Sequence, residues 1–420
     1  MTSNGPKVNI YSNSLNTSLV NTVDLRANNA TIDNIIIQNL DLPVGGSYKI
    51  GGAHVLSTPV QASSIAIGNT TPINQSTGTV AIGLNSGSSN QENNAISIGT
   101  NSGQTDQGIQ SISVGASSGQ TNQGSNSVAI GIFAGQTSQG NNSVSIGTFA
   151  GRTSQGTESI SIGNFAGRTS QGTESISIGN FAGATNQNSN SVSIGSLAGN
   201  DTQGSQAISI GTQAGETNQG SNSISIGQLA GNDTQSTNCI SIGTFAGRTS
   251  QGTESISIGK SAGLQNQSDH SIAIGSLAGS DTQAGNSIAI GNLAGRVTQQ
   301  DSSVAIGDSA GETNQGISSV AIGRNAGILS QGSGSVAIGG NAGSTQQGVN
   351  SICIGENAQS PSFNGTIVLG VDAIADANSE FVIGSATVPV LVSGSAGPPM
   401  EYLFIRVNGF PRKIQLYNDA

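Results

Sequence analysis

Some carboxylates in this chain recur at a fixed interval. Glu158, Glu174 and Glu254 share one phase of a 16-residue spacing, and Asp201, Asp233 and Asp281 share another. Paired carboxylates could cleave a polysaccharide, one as acid and the other as base or nucleophile. That chemistry needs groups that converge on a cleft. These six lie among Ser and Thr with no aromatic platform beside them, which assigns them to a solvated surface. His54 and His270 are the two histidines, and each reads as an exposed turn residue. Cys239 and Cys353 lie 114 residues apart, too far along a repeat to pair within one chain. No cysteine–histidine spacing suits a metal, and the glycine–aspartate nonapeptide of calcium-binding rolls is absent. The glycines match no phosphate-binding loop. Arg152, Arg168, Arg248 and Arg296 share a third phase. An Arg and a Glu of one unit can pair there only loosely, a contact of little weight at a surface. The residues therefore imply no catalytic group, no cofactor and no metal.

What positions these groups is a repeat. The chain has 420 residues, of which 8% are charged and 3% aromatic, with 62 glycines and no Trp. Charged residues usually make up about 25%. Disordered chains are also polar and Gly-rich, but this one places Ile and Val at regular intervals. A pentad Ser-Ile/Val-Ala/Ser-Ile-Gly starts at Thr79 and recurs every 16 residues to Ser351, 18 copies without an insertion. A further copy precedes it at Ser64, and two looser ones follow at Thr366 and Glu380. Numbered from the Ser, the unit reads S-[IV]-[AS]-I-G-x-[FL]-A-G-x-T-x-Q-G-x-x. Positions 1 to 5 alternate with period two, which is a strand. Glycines at 5, 9 and usually 14 mark turns and leave no helical stripe.

The expected fold is therefore all-β: a parallel β-solenoid of 16-residue coils, each coil two short strands and two turns. Neighbouring coils should stack about 4.8 Å apart. Ile at positions 2 and 4 is expected to fill the core, with the position-4 ladder formed by Ile130, Ile146, Ile162, Ile178, Ile194, Ile210, Ile226, Ile242 and Ile258. Gln at position 13 (Gln123, Gln139, Gln155, Gln171, Gln187) is expected to form an amide ladder. The alternative is a Gln exposed at each turn. Position 7 is apolar mainly in the middle of the repeat: Phe133, Phe149, Phe165, Phe181, Leu197, Leu229 and Phe245. Asn101, Ser117, Ser309, Asn325, Asn341 and Asn357 hold it outside. A core would need the same residue in every coil, so the stripe is read as a candidate subunit interface, with a local widening of the core as the alternative. Ordering so small a coil costs about 1.5 kcal/mol per residue, which makes lateral association of identical chains the simplest further source of burial.

The pentad followed by Ala-Gly, as in Ser127–Gly135 and Ser335–Gly343, resembles the head repeat of YadA-like trimeric autotransporter adhesins. The resemblance spans Ser64 to Gly384. It implies a homotrimeric, left-handed parallel β-roll that engages host surfaces. Family heads repeat at about 14 residues, whereas this chain repeats at 16. The N-terminus shows no apolar signal-peptide core, and neither a coiled-coil stalk nor a membrane anchor is read in the sequence. The segment Glu401–Tyr417 reads as a β-hairpin around Asn408-Gly409 and is similar to terminal hairpins of phage and large-virus structural proteins.

The expected organisation is a β-rich attachment or cap segment at 1–62, the solenoid at 63–384 and a C-terminal hairpin cap at 385–420. The expected function is a non-enzymatic fibre or spike of a virion surface or tail, a stiff trimeric rod for host attachment made without a signal peptide. Its expected partners are itself, other virion or surface structural proteins through a terminus, and a host receptor or glycan. A bacterial surface adhesin head is the alternative. An ice-binding solenoid and a glycan-degrading tailspike are lesser ones, because position 3 alternates Ser and Ala and the carboxylates lack a cleft. The chain carries 12 Lys and Arg without a basic cluster and a net charge of −10, so nucleic acid is not an expected partner. No apolar run is long enough to insert in a membrane.

Overall fold

The computed structural model describes the backbone of residues 47–50, 53–57, 64–68, 73–388, 402–407 and 410–415, and the side chains of 64–68 and 74–388. The greater part of the expected N-terminal attachment segment, and the side chain of His54, lie outside the described residues.

From Ile65 to Ile383 the chain winds as a parallel β-solenoid. Each coil contributes positions 2–4 to a first sheet, as in Val144–Ile146 and Ile160–Ile162. It contributes positions 11–13 to a second, as in Thr153–Gln155 and Thr169–Gln171. The register follows the period of the sequence. Val144 pairs Ile160 and Ile146 pairs Ile162 in parallel, and Thr153 pairs Thr169 in the other sheet. The offset shortens only at the ends, where Ile65 pairs Val80 and Ile367 pairs Phe381. The two looser copies of the pentad are thus true coils. The second sheet runs as 16 strands and continues past Thr313–Gln315 as single bridges at Leu329 and Thr345.

The turns explain the glycines. Gly147 sits at φ +130, and a Cβ there would lie 2.5 Å from the Gly163 carbonyl oxygen of the next coil. Gly135 sits at φ +51, where a Cβ would lie 2.6 Å from Gln139 Oε1. Further left-handed residues stand where Asn, which tolerates that backbone, recurs along the repeat, as at Asn142, Asn186 and Asn341. Positions 7, 12 and 16 are left-handed without being glycine: Phe149 (φ 59), Ser154 (φ 55) and Glu158 (φ 56) in one coil. Because position 12 is left-handed, only positions 11 and 13 of the second strand pair with the next coil.

The core differs from expectation. The buried positions are 1, 3, 8, 9 and 13. Ser143, Ser145 and Ala150 are fully buried, and Gln155 is 3% exposed. The Ile ladder proposed for the core lies on the outer face instead. Ile130, Ile162, Ile210, Ile226 and Ile242 are 36–38% exposed, and Ile146, Ile178, Ile194 and Ile258 are only partly covered. Alternation shows that positions 2 and 4 share a face, but not which face turns inward. A 16-residue coil closes around a narrow interior. That interior takes Ser, Ala and one extended amide per coil, and leaves the β-branched residues outside.

At the N-terminal end, Ser47–Ile50 and Ala53–Ser57 form an antiparallel pair, and Ser57 pairs antiparallel with Ala66 of the first sheet. Near the C-terminus, Tyr402–Val407 pairs antiparallel with Phe410–Gln415 as a two-stranded sheet, matching the hairpin read in the sequence.

Candidate functional site: the outer face of the first sheet

The interior sets how rigid this face is. Gln155 Nε2 donates to the Val144 carbonyl at 3.0 Å, the Ser159 carbonyl at 3.4 Å and Ser161 Oγ at 3.3 Å. Its Oε1 accepts from Ser145 Oγ at 2.5 Å. The same contacts recur at Gln171, whose amide nitrogen reaches the Ile160 and Ser175 carbonyls and Ser177 Oγ. Direct amide-to-amide contact joins Gln107 to Gln123 at 3.1 Å, Gln123 to Gln139 at 3.2 Å, and Gln187 to Gln203 at 3.1 Å. The Gln side chains therefore tie the sheets together across each coil and also contact the next coil. A buried amide must find partners or destabilise the fold. Here each coil supplies them at the same places, which fixes the strands and so the face they present.

On that face Ile and Val at positions 2 and 4 stand side by side in every coil from Val80 to Ile354. The summed exposed apolar surface is on the order of 1,000 Å², well beyond the few hundred Å² typical of the largest patch on a monomer. No charged side chain interrupts positions 2 and 4 over this length.

One edge of the face carries the turn of positions 5–10. There the rings of Phe133, Phe149, Phe165 and Phe181 stack at centroid distances of 5.1, 4.9 and 4.7 Å. The rings stay partly exposed. Arg152 and Arg168 lie 5.3 and 5.8 Å from the centroids of Phe149 and Phe165, and Arg248 lies 5.6 Å from that of Phe245. These distances suit cation–π attraction. Arg152 Nε also donates to Gln136 Oε1 at 3.0 Å. Leu197 and Leu229 continue the stripe with the same left-handed backbone.

The other edge carries the turn of positions 14–16, where Glu158, Glu174 and Glu254 are exposed. Glu254 Oε2 lies 3.5 Å from His270 Nε2. Asp201, Asp233 and Asp281 are exposed on the second sheet, so the structure does not bring them to the glutamates. Among the described residues no three His, Cys, Asp or Glu side chains gather as a metal-binding group. An open groove of about 500 Å³ near the N-terminal coils is lined by Asn74, Asn90, Glu92 and Asp106 among others. Both thiols are buried. Burial pushes Cys353 up to about 12, and burial likewise raises Cys239 against hydrogen bonds from Ser255 that lower it.

Sequence reasoning missed the direction of the Ile face and the small-residue interior. One signal was available: Ser and Ala at positions 1, 3 and 8 are as regular as Ile. No protein-family model and no curated protein sequence matches this chain.

Proposed function

We propose that this chain is a structural, non-enzymatic protein. Its copies pack through the outer Ile/Val face into a stiff fibre or spike on a virion surface or tail, where it serves host attachment. The observation that carries this reading is the outer face itself. It is apolar, uncharged and continuous along the rod, and about as large as the roughly 800 Å² per partner that a stable interface buries. A second copy of the chain matches it without further adjustment, because its coils repeat at the same rise. Three copies is the number that the resemblance to YadA-like heads implies. The paired Tyr402–Val407 and Phe410–Gln415 strands support a virion protein over a bacterial adhesin head, through their likeness to viral terminal hairpins. The test is the mass of the full chain by light scattering, with and without Ile162→Asp and Ile178→Asp. The expected result is a trimer that dissociates in the variant. A monomeric parent overturns the reading.

A further inference from the structure

The charged residues of the two turns recur together in the same coils. Position 10 carries Arg in four coils: Arg152, Arg168, Arg248 and Arg296. Position 16 carries Glu in three: Glu158, Glu174 and Glu254. The three glutamates fall in the same coils as the first three arginines. The fourth arginine has no Glu at position 16 of its coil, where Ser302 stands. It alone pairs within the chain, Arg296 Nη2 lying 3.4 Å from Glu312 Oε1. Among the described residues, Arg152, Arg168 and Arg248 have no carboxylate oxygen within ion-pair distance. Glu158 and Glu174 likewise have no cation, although Glu174 accepts from Asn190 Nδ2 at 2.8 Å, and Glu254 lies against His270. Arg152 and Arg168 occupy the same position of neighbouring coils, where uncompensated like charges repel. Within a coil, Arg and Glu do not pair, because the strand of positions 11–13 stands between them.

We infer that the arginines at position 10 of one copy pair with the glutamates at position 16 of the next, and that these pairs fix parallel, in-register packing. The inference rests on the self-association proposed above and adds its direction and register. Any rotation axis parallel to the rod brings the position-10 edge of one copy to the position-16 edge of its neighbour, with equal coil numbers at equal height. Arg152 then faces Glu158, Arg168 faces Glu174 and Arg248 faces Glu254 of the neighbouring copy. An antiparallel pair packed on the same face sets like edges together, Arg against Arg. A slip of one coil in the parallel arrangement sets Arg168 against Asn190 and Arg248 against His270, and keeps only one of the three pairs. Such rim pairs act on register and specificity more than on raw affinity. The apolar face supplies the burial, and the charges select one arrangement of it.

The test uses the full chain and begins with the mass of the parent. Arg152→Glu, Arg168→Glu and Arg248→Glu together are expected to raise the concentration of half-dissociation by about tenfold or more at low salt. Glu158→Arg, Glu174→Arg and Glu254→Arg together should do the same. Combining both sets should restore the parental value, and about 1 M salt should shrink every difference. Co-expressed chains carrying Arg152→Cys and Glu158→Cys should cross-link through a short bis-maleimide, while chains carrying Arg152→Cys alone should not. The native thiols are buried and do not compete. A monomeric parent overturns this inference together with the reading it rests on. A parent that associates through the Ile face, but whose affinity ignores both charge sets, overturns this inference alone. So does cross-linking between two Arg152→Cys chains.

Discussion

The middle coils and the flanking coils solve the same backbone problem with opposite residues. Position 7 is left-handed in both, at φ 59 for Phe149 and φ 56 for Asn341. Asn tolerates that conformation, whereas other L-residues lose roughly 1–2 kcal/mol in it. The flanking coils use the tolerant residue. Asn325 Nδ2 donates to Asn341 Oδ1 and Asn341 Nδ2 to Asn357 Oδ1, each at 3.0 Å. The middle coils place Phe there, and stacked rings return about 0.5–1.5 kcal/mol per pair. Within one chain the exchange is close to even, and it leaves ring surface half-exposed. The aromatic stripe is therefore not explained by coil folding. On the self-association proposed above, it is the stretch where a neighbouring copy packs beside the Ile/Val face, and the Arg and Glu side chains of the two turns lie in the same coils.

The comparison holds only if both regions stand on the same interior, and that is where the largest effect is expected. Gln171 in the middle contacts two carbonyls and a serine hydroxyl, and accepts from Ser161. Gln315 in the flank donates to the Val304 carbonyl at 2.8 Å and accepts from Gln299 at 3.1 Å. Replacing either with Ala removes bonds to carbonyls that the strand ladder also pairs, takes the acceptor from a buried donor, Ser161 Oγ or Gln299 Nε2, at about 1–3 kcal/mol, and opens a void. Gln171→Ala and Gln315→Ala are each expected to cost about 3–5 kcal/mol, measured by denaturant titration followed by circular dichroism. A cost below about 1 kcal/mol at either site would mean that the amides do not tie the coils. A large difference between the sites would break the premise that the interior is shared.

A smaller effect, confined to one region, tests the stripe. Phe149→Asn, Phe165→Asn and Phe181→Asn together graft the flanking solution onto the middle. The isolated coil should keep its stability within about 1 kcal/mol, because strain and stacking leave together. Association should weaken by about a hundredfold, the loss expected when aromatic anchors leave an interface. Light scattering across a dilution series reads the second quantity, and thermal unfolding of the dissociated chain reads the first. The reverse graft, Asn341→Phe, should cost about 1 kcal/mol, since one added ring takes on the strain with no stacking neighbour. If the triple Asn variant stays associated at parental concentrations, the stripe lies away from the junction.

Much of this was legible in the residues, and the failures have a common cause. The period, the two strands, the turn glycines and the coils at Thr366 and Glu380 all follow from regular spacing, because stacking converts a sequence offset directly into a contact. The facing of Ile130 or Ile162 does not follow. Period two is symmetric between the inside and outside of a strand, and the usual assumption that Ile is buried fails when the coil is too narrow to hold it. The left-handed backbone is marked by Asn at the same positions of other coils, such as Asn142 and Asn341, but not at Phe149 or Glu158, since neither residue type favours it. The Gln side chains were visible as a column. Their bonds to Ser145 and to carbonyls of the first sheet depend on a cross-section that a one-dimensional reading cannot supply. The Arg and Glu coincidence was visible too, but it acquires meaning only once the two turns are seen to flank one apolar face.

The smallest expected effect separates the regions by their thiols. Cys353 occupies position 3 in the flank, where Ala337 and Ser145 stand in other coils, so Cys353→Ala at neutral pH should change stability by less than about 1 kcal/mol. The difference should appear only in alkali. Burial raises this thiol from 9.0 to about 12. A group whose folded pKa lies above its unfolded one contributes stability that is complete below the unfolded value and is lost as pH rises through the folded one. Between about pH 9 and 12 the unfolded chain ionises while the native coil holds its proton, so the parent should lose stability with a slope that Cys353→Ala lacks. Parallel melts of the two chains at pH 7 and pH 10 measure it. Equal losses in both would mean that the flank opens locally and exposes the thiol to solvent, and the middle coils would then be the only rigid part of the rod.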